Sequence, residues 1–595
     1  MSAGWVQIVR VRPDRSPAFG LWLLALAAAV FGVSHALGWS LNGIASDLGD
    51  PDDALRLHQA RGLLEGRGWY DLSIREIGGI EPLVSHWSRL ADAPVAALLA
   101  VGVLLFGAEP GELVARTVWP VTLLVVLTAL VAIEVRRAAG TTAGVIAIWL
   151  VASSVLAVAQ FLPGRIDHHH LQIVGAVGGS LCLWRAFRTG DGALQSGLLF
   201  GIGLAIGYEA LFLVLAILGS AGLIAVVEPR LMATLARVLG ALSATLAAAL
   251  AATVPPAAWG VVACDVLGLN LVVMATVGGI GTWLLANRPP SSTVIARSLG
   301  LIGVGVAAYA AQVVVAPHCA IGPHAALDPR IQDVWLDTVV EGRSIAVIFA
   351  LYPSTALVYV ATVGAAVALV LRRVVVVRAP ADLMLAAIVT LAATYGAISV
   401  RFMPYGVWLA LPVIAMAIAT IGPTAFARSS VAKLGVAVLA SHLVLHAALE
   451  TVRAITLGSA ARASAAAPET ATCRRRDDIK LLTVLPPGFI VADIDIGPHI
   501  VADTHHGVLA GPYHRLGDQI ATLHAILSSS PDVGVRTLGA IGADYVVLCA
   551  VGPSGDERRA DLAGRLRAGA SVAGLEPIDL GQTRTPLRAW RVGGR

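Results

Sequence analysis

The stretch TAGVIAIWLVASSVLAVAQFL (142–162), PGRIDHHHLQ (163–172), IVGAVGGSLCLWRAF (173–187) holds one aspartate and three histidines between two apolar runs. The first run is about long enough to cross a bilayer, which takes roughly 20 apolar residues, and the second reaches nearly that length with the residues just before it. Asp and His are costly next to hydrocarbon and mark function there more often than chance. The same pattern continues in both directions. Of 595 residues, 57% are hydrophobic and only 13% charged, about half the charged fraction of a soluble domain. The chain reads as a polytopic α-helical membrane protein. Its net charge of +4 is too small to argue for nucleic acid. Most basic residues are arginines in short loops, where they report topology.

Fourteen apolar runs lie between residues 20 and 450. The first (20–38) follows Arg10, Arg12 and Arg15 and lacks a cleavage site, so it is expected to be a retained span. Those arginines place the N-terminus in the cytoplasm. If every run crossed, Arg136-Arg137, Arg230, Arg372-Arg373 and Lys433 would face outward. If run 93–107 does not cross, all of them face the cytoplasm. That run is short, so about thirteen spans are expected. Residues 39–113 then form a long first outer loop with a membrane-lying helix, inside a transmembrane unit of residues 1–450. Residues 451–480, with the knot CRRRDD (473–478), read as a linker. Residues 481–595, with strands in FIVADI and DYVVLCAV, read as a small extracytoplasmic α/β domain. Cys182 and Cys264 are expected in apolar helices. Cys473 and Cys549 are candidates for a disulfide if they face an oxidising compartment.

The polar groups gather on the outer side. Asp50, Asp52 and Asp53 precede a helix expected from about Ala54. They suit an N-cap, but three carboxylates in four residues exceed what a cap needs and invite a divalent cation. Asp167 and His169 are two apart, so an extended loop points both the same way. One carboxylate and one imidazole suit Mn²⁺ or a similar cation. His168 and His170 extend this cluster. Glu341 abuts a span, Glu209 sits among apolar residues in GYEALF, and Arg401 interrupts AISVRFMPYGVW. A boundary arginine can snorkel; a buried one needs an anion, and a phosphate fits.

In this order the residues resemble the catalytic subunit of oligosaccharyltransferase and the wider GT-C class of membrane glycosyltransferases. The motifs are Asp50-Pro51 with Arg56, Asp167-His168-His169 as an Asp-x-His element, Thr338-Val339-Val340-Glu341, and Arg401-Phe402. The resemblance covers about residues 20–425 and implies a GT-C-like fold. It implies Asp50, or else Asp53, as the metal-binding and acceptor-activating carboxylate. It further implies Asp167 and His169 as ligands of Mn²⁺ or Mg²⁺, Glu341 positioning the acceptor, and Arg401 on the donor phosphate. Asp52, His168, His170 and Glu209 are additional candidates. The expected donor is a sugar or oligosaccharide on a polyprenyl phosphate or pyrophosphate. The acceptor, a glycan, lipid or protein, stays open. The expected setting is the outer face of a bacterial inner membrane. The family's Trp-Trp-Asp element is absent, since the only tryptophan after Trp408 is Trp590. His505, His506, His514 and Arg515 are candidates for acceptor binding. Two rival readings are a lipid-sugar transporter, with charges at mid-span or repeated halves, and a non-catalytic scaffold presenting the tail.

Overall fold

The computed structural model describes residues 19–36, 41–288, 293–322, 327–421, 429–465, 473–550, 560–581 and 585–593. Arg10, Arg12 and Arg15 lie outside them. In chain order the main helices are α1 (Phe19–Ala36), α2 (Pro51–Leu64), α3 (Arg89–Phe106), α4 (Ala108–Ala139), α5 (Thr141–Ala152), α6 (His169–Thr189), α7 (Ala193–Ile206) and α8 (Leu211–Val227). They continue with α9 (Met232–Thr253), α10 (Leu269–Ala286), α11 (Val294–Val315), α12 (Pro353–Val377), α13 (Pro380–Ile398), α14 (Met403–Ala419), α15 (Ser430–Leu439) and α16 (His442–Ala465).

Eight described helices, α3 among them, are long and apolar enough to cross a membrane alone, and two bent pairs raise this to ten. One pair is α5 with the short helix after it, bent by 80°; the other is α15 with α16, bent by 43°. α11 buries only Ala308 and exposes Leu299, Ile302, Val306 and Val314, the surface expected of a helix that faces lipid.

α3 is tied at both ends to the first loop and the tail. At its start Asp92 pairs with Arg56 of α2 and with Arg89, the latter at 2.9 Å. At its end Gly102 packs on Gly111 of α4, beside Glu112, which pairs with Arg476 of the tail at 2.7 Å. Both ends therefore meet the first loop and the tail. Three further helices, α1, α7 and α8, are apolar but shorter.

Small residues let the helices approach closely. A Cβ on Gly175 of α6 would lie 2.7 Å from the Gly203 Cα of α7, so this crossing admits only glycine. Gly175→Leu is expected to cost about 1–3 kcal/mol through overpacking. A lowered thermal unfolding midpoint in a bilayer mimetic checks this.

One sequence expectation is overturned here. Cys264 was expected in an apolar helix spanning 262–286, but α10 starts at Leu269. Cys264 lies in the preceding loop and forms a disulfide with Cys319. The cause is adjacent: Asp265 is drawn out of the apolar run by Arg515, which binds it through two nitrogens at 2.7 Å each. Cys182 is buried in α6 with a free thiol.

The tail carries a five-stranded sheet of β1 (Phe489–Ala492), β2 (Gly507–Val508), β3 (Tyr545–Cys549), β4 (Leu575–Ile578) and β5 (Leu587–Val592). Their order is β2-β1-β3-β5-β4. β1 pairs in parallel with β2 and β3, and β5 pairs antiparallel with β3 and β4. Cys473 and Cys549 form a disulfide. The residues after Cys473, read as linker, join this unit: Arg475 bridges Asp47, and Arg476 binds Asp503 as well as Glu112. The tail shares its apolar core with the first loop, since Leu55, Ile74, Ile77, Leu83 and Trp87 pack with Ile490, Val508, Tyr513 and Val546. Val508 also exchanges backbone hydrogen bonds with the first loop, donating to Glu76 at 2.8 Å and accepting from Gly78 at 3.0 Å.

Candidate functional site

α2 starts at Pro51, three residues before its expected start. Asp50 is its N-cap: its carboxylate accepts from the Asp52 and Asp53 amides at 3.0 and 3.2 Å. The Asp53 carboxylate accepts from the Asp50 amide in return, completing a capping box. The other Asp53 oxygen accepts from the Ile166 and Asp167 amides at 2.7 and 2.9 Å. This pair of bonds clamps the Asp167 loop onto α2.

Asp50 and Asp53 are therefore largely committed, and Arg165 takes up most of what remains. Its guanidinium pairs with Asp50, lies 3.2 Å from Asp53 and reaches within 3.7 Å of Asp167. No residue had been expected in this role. Arg165 stands two before Asp167, so the spacing that groups Asp167 with His169 also puts Arg165 on their side.

Asp52 differs. Among the described residues nothing donates a hydrogen bond to its carboxylate. Burial pushes that carboxyl well above the usual range, and Asp167, its nearest charged neighbour by effect, pushes it further. A cation would relieve that mutual repulsion.

Asp167 is 1% exposed. One of its oxygens pairs with His168 Nδ1 and the other with His169 Nδ1. The opposite nitrogens of both rings face Glu209, at 3.4 and 3.3 Å. Glu209 lies in the turn between α7 and α8 and binds Arg401 at 3.0 Å. Arg401 occupies a single helical turn (Val400–Phe402) between α13 and α14 and binds Glu341 at 3.1 Å. The Ser399 hydroxyl donates to the Glu341 carbonyl at 2.9 Å, which docks the 340s loop. Burial would raise the Glu209 carboxyl, but His169 and Arg401 hold it below the usual carboxylate range.

A continuous polar line thus runs from Asp50 through Arg165, Asp167, His168 and His169 to Glu209, Arg401 and Glu341. Asp167, His168 and His169 can each offer a ligand atom within 4.8 Å of the others. Asp53 anchors the line from inside. His170 does not join it: its ring lies 6.1 Å from Trp119 and 6.2 Å from Phe161, inside the bundle. Arg56 does not join it either. It is fully buried, pairs with Asp92 and stacks on Trp87 at 4.6 Å.

The tail roofs the site. Tyr513 donates to the Pro51 carbonyl at 3.1 Å. Trp87 stands between Tyr513 and His168, with ring centroids at 5.5 and 5.6 Å. His514 binds Asp265 at 2.7 Å and stacks on His86 at 4.7 Å. His505 and His506 are used on the backbone carbonyls of Leu485 and Leu482, each at 2.9 Å, away from the polar line.

No protein-family model matches the chain, and no curated protein matches it. Solved structures do. The archaeal oligosaccharyltransferase AglB from Archaeoglobus fulgidus, in complex with an inhibitory peptide and a dolichol-phosphate, aligns with a TM-score of 0.62 at 11% identity, over 89% of this chain and 69% of that one. The apo form of the Archaeoglobus fulgidus enzyme gives 0.61 at 12% identity, over 90% and 70%. Its complex with Zn and sulfate gives 0.54 at 15%, over 89% and 68%. At these identities the likeness is one of fold: the chain has the fold of GT-C membrane glycosyltransferases.

Proposed function

We propose that this chain is a GT-C-type glycosyltransferase. It moves a sugar or oligosaccharide from a polyprenyl phosphate or pyrophosphate to an acceptor on the non-cytoplasmic face. The observation that carries this reading is the polar line itself. Five segments far apart in sequence bring acids, histidines and two arginines to one end of an otherwise apolar bundle. The AglB fold neighbours, one holding a dolichol-phosphate and another Zn and sulfate, support a lipid phosphate and a divalent ion as the chemistry. The side of the membrane follows from Arg136, Arg137, Arg230, Arg372, Arg373 and Lys433, which mark the other end of the helices.

The donor set fits Mn²⁺ or Mg²⁺, with a shift from expectation. Arg165 already neutralises Asp50 and Asp53, so Asp167, His168 and His169, whose ligand atoms lie within 4.8 Å of one another, are the residues that would hold the ion, with Asp52 as a further carboxylate nearby. When bound, such an ion supplies Lewis acidity toward the departing phosphate. Arg401 presents its planar fork to that phosphate, which displaces Glu209 or Glu341 as partner. Asp52 orients the acceptor nucleophile and takes its proton. The bond from sugar C1 to phosphate oxygen breaks as the bond from C1 to the acceptor forms. Glu341, on the open side of Arg401, positions the acceptor. Because the Trp-Trp-Asp element is absent, the acceptor reading is not tied to asparagine sequons.

The test uses protein in nanodiscs with radiolabelled polyprenyl-phosphate sugars and Mn²⁺. Donor cleavage is expected, with a loss of about 10²–10⁴-fold in Asp52→Asn and a smaller loss in Asp50→Asn. Label that crosses the bilayer without bond cleavage would favour transport. Equal cleavage by Asp52→Asn would remove that residue from the reaction.

A further inference from the structure

A cavity of about 470 Å³ opens at the opposite end of the bundle. It lies where α6, α12, α13 and α14 meet the turn before α9. His169 starts α6 at the polar line and Arg188 closes it in this cavity, about 28 Å away at 1.5 Å per residue. That is close to a bilayer's hydrocarbon thickness.

Arg188, Arg230, Arg237 and Arg373 line the cavity with one carboxylate, Asp382. Arg373 takes Asp382. Arg230 leans on Glu228 at 3.3 Å, outside the lining. Arg188 and Arg237 form no ion pair among the described residues. Arg188 instead stacks on Trp184 at 4.8 Å, and its Nε is buried without a hydrogen-bond partner. Arg237 reaches only the Ala233 carbonyl and the Thr234 hydroxyl, both at 3.4 Å. Arginines at span ends ordinarily fan out into water. Here four converge on one concave space that holds a single carboxylate, and two of them, Arg188 and Arg237, have no ion-pair partner among the described residues.

The walls between them are apolar, from Phe187, Leu231, Leu385 and Met416. Leu223 and Val227 stay exposed on the helix that leads to Arg230. A charged rim over an apolar wall at a span end matches a headgroup with its acyl chain. Guanidinium forks suit phosphate oxygens.

We propose that this cavity binds the phosphate of an anionic phospholipid headgroup. The site is independent of the reaction at the other end. The test is native mass spectrometry of protein released from mixed phosphatidylglycerol and phosphatidylcholine nanodiscs. Wild type is expected to retain phosphatidylglycerol about tenfold over phosphatidylcholine. Arg188→Gln with Arg237→Gln should lose that preference. Arg230→Gln with Arg237→Gln, at the exposed mouth where folding is not at risk, should weaken it in the same direction. Equal retention of both lipids by wild type would overturn the proposal, as would unchanged preference in both folded variants. Displacement of the lipid by inorganic phosphate at equal concentration would assign the site to a free anion and overturn the lipid as its source.

Discussion

Asp167→Asn is expected to lower donor turnover about a hundredfold or more and to remove saturable Mn²⁺ binding. The substitution keeps the side chain's shape. The Asp167 amide still donates to Asp53, so the loop stays clamped to α2. What is lost is the charge between His168 and His169. Without it the two rings lose the partner that fixes which nitrogen faces Glu209, and an ion loses its most central carboxylate. Calorimetric Mn²⁺ titration and donor turnover, run beside thermal unfolding, separate chemistry from folding. Unchanged turnover with unchanged ion binding would leave the loop as a boundary feature and favour the scaffold or transport readings.

Arg165→Ala is expected to have the largest effect on stability. It leaves Asp53 and Asp167, 0% and 1% exposed at their side chains, without the guanidinium that neutralises them. Removing one partner of a buried ion pair costs about 3–5 kcal/mol. Asp50 is part-exposed, so water recovers its share. The loss should appear as a lowered unfolding midpoint. Millimolar Mn²⁺ should raise that midpoint more in the variant than in wild type, because an ion that binds only the folded state stabilises it by mass action. Arg165→Lys keeps the charge without the fork and should fall between the two. A variant as stable as wild type, with no added response to Mn²⁺, would show that the three aspartates are not held by Arg165.

Both results test a feature that the sequence only half reveals. Asp50, Asp52 and Asp53 are visible as a cluster, and so is the start of a helix beside them. Which of the three is open is a matter of helix phase. Successive residues turn by about 100°. Here the capping box commits Asp50 and Asp53, and the Asp52 carboxylate is left without a donor among the described residues. Nothing in the order of letters sets that phase relative to a loop more than 100 residues away. His168, His169 and His170 pose the same question on α6: two rings meet Asp167 and Glu209, and the third points into the bundle.

The amino-acid sequence alone determined the membrane class, the largely helical fold, most members of the polar cluster and the presence of an α/β tail. These follow from lengths of apolar sequence, from the placement of arginines and from strand-period patterning, all short-range properties. α3 shows how far that reaches. Length and hydropathy admit it as a span, whereas arginine parity argues for a helix lying in the outer loop. Tertiary structure decided the rest. It broke the run 262–286 at Asp265 to meet Arg515, fused the tail's core with the first loop, and set Arg165 among three aspartates. It also strung Glu209 between His168, His169 and Arg401. Apart from the apolar core, each of these is a charge shielded from water that meets its counter-charge far along the chain. In a low-dielectric interior an unpaired ion is too costly to keep, so the pairing is enforced by the folded neighbourhood and by nothing local.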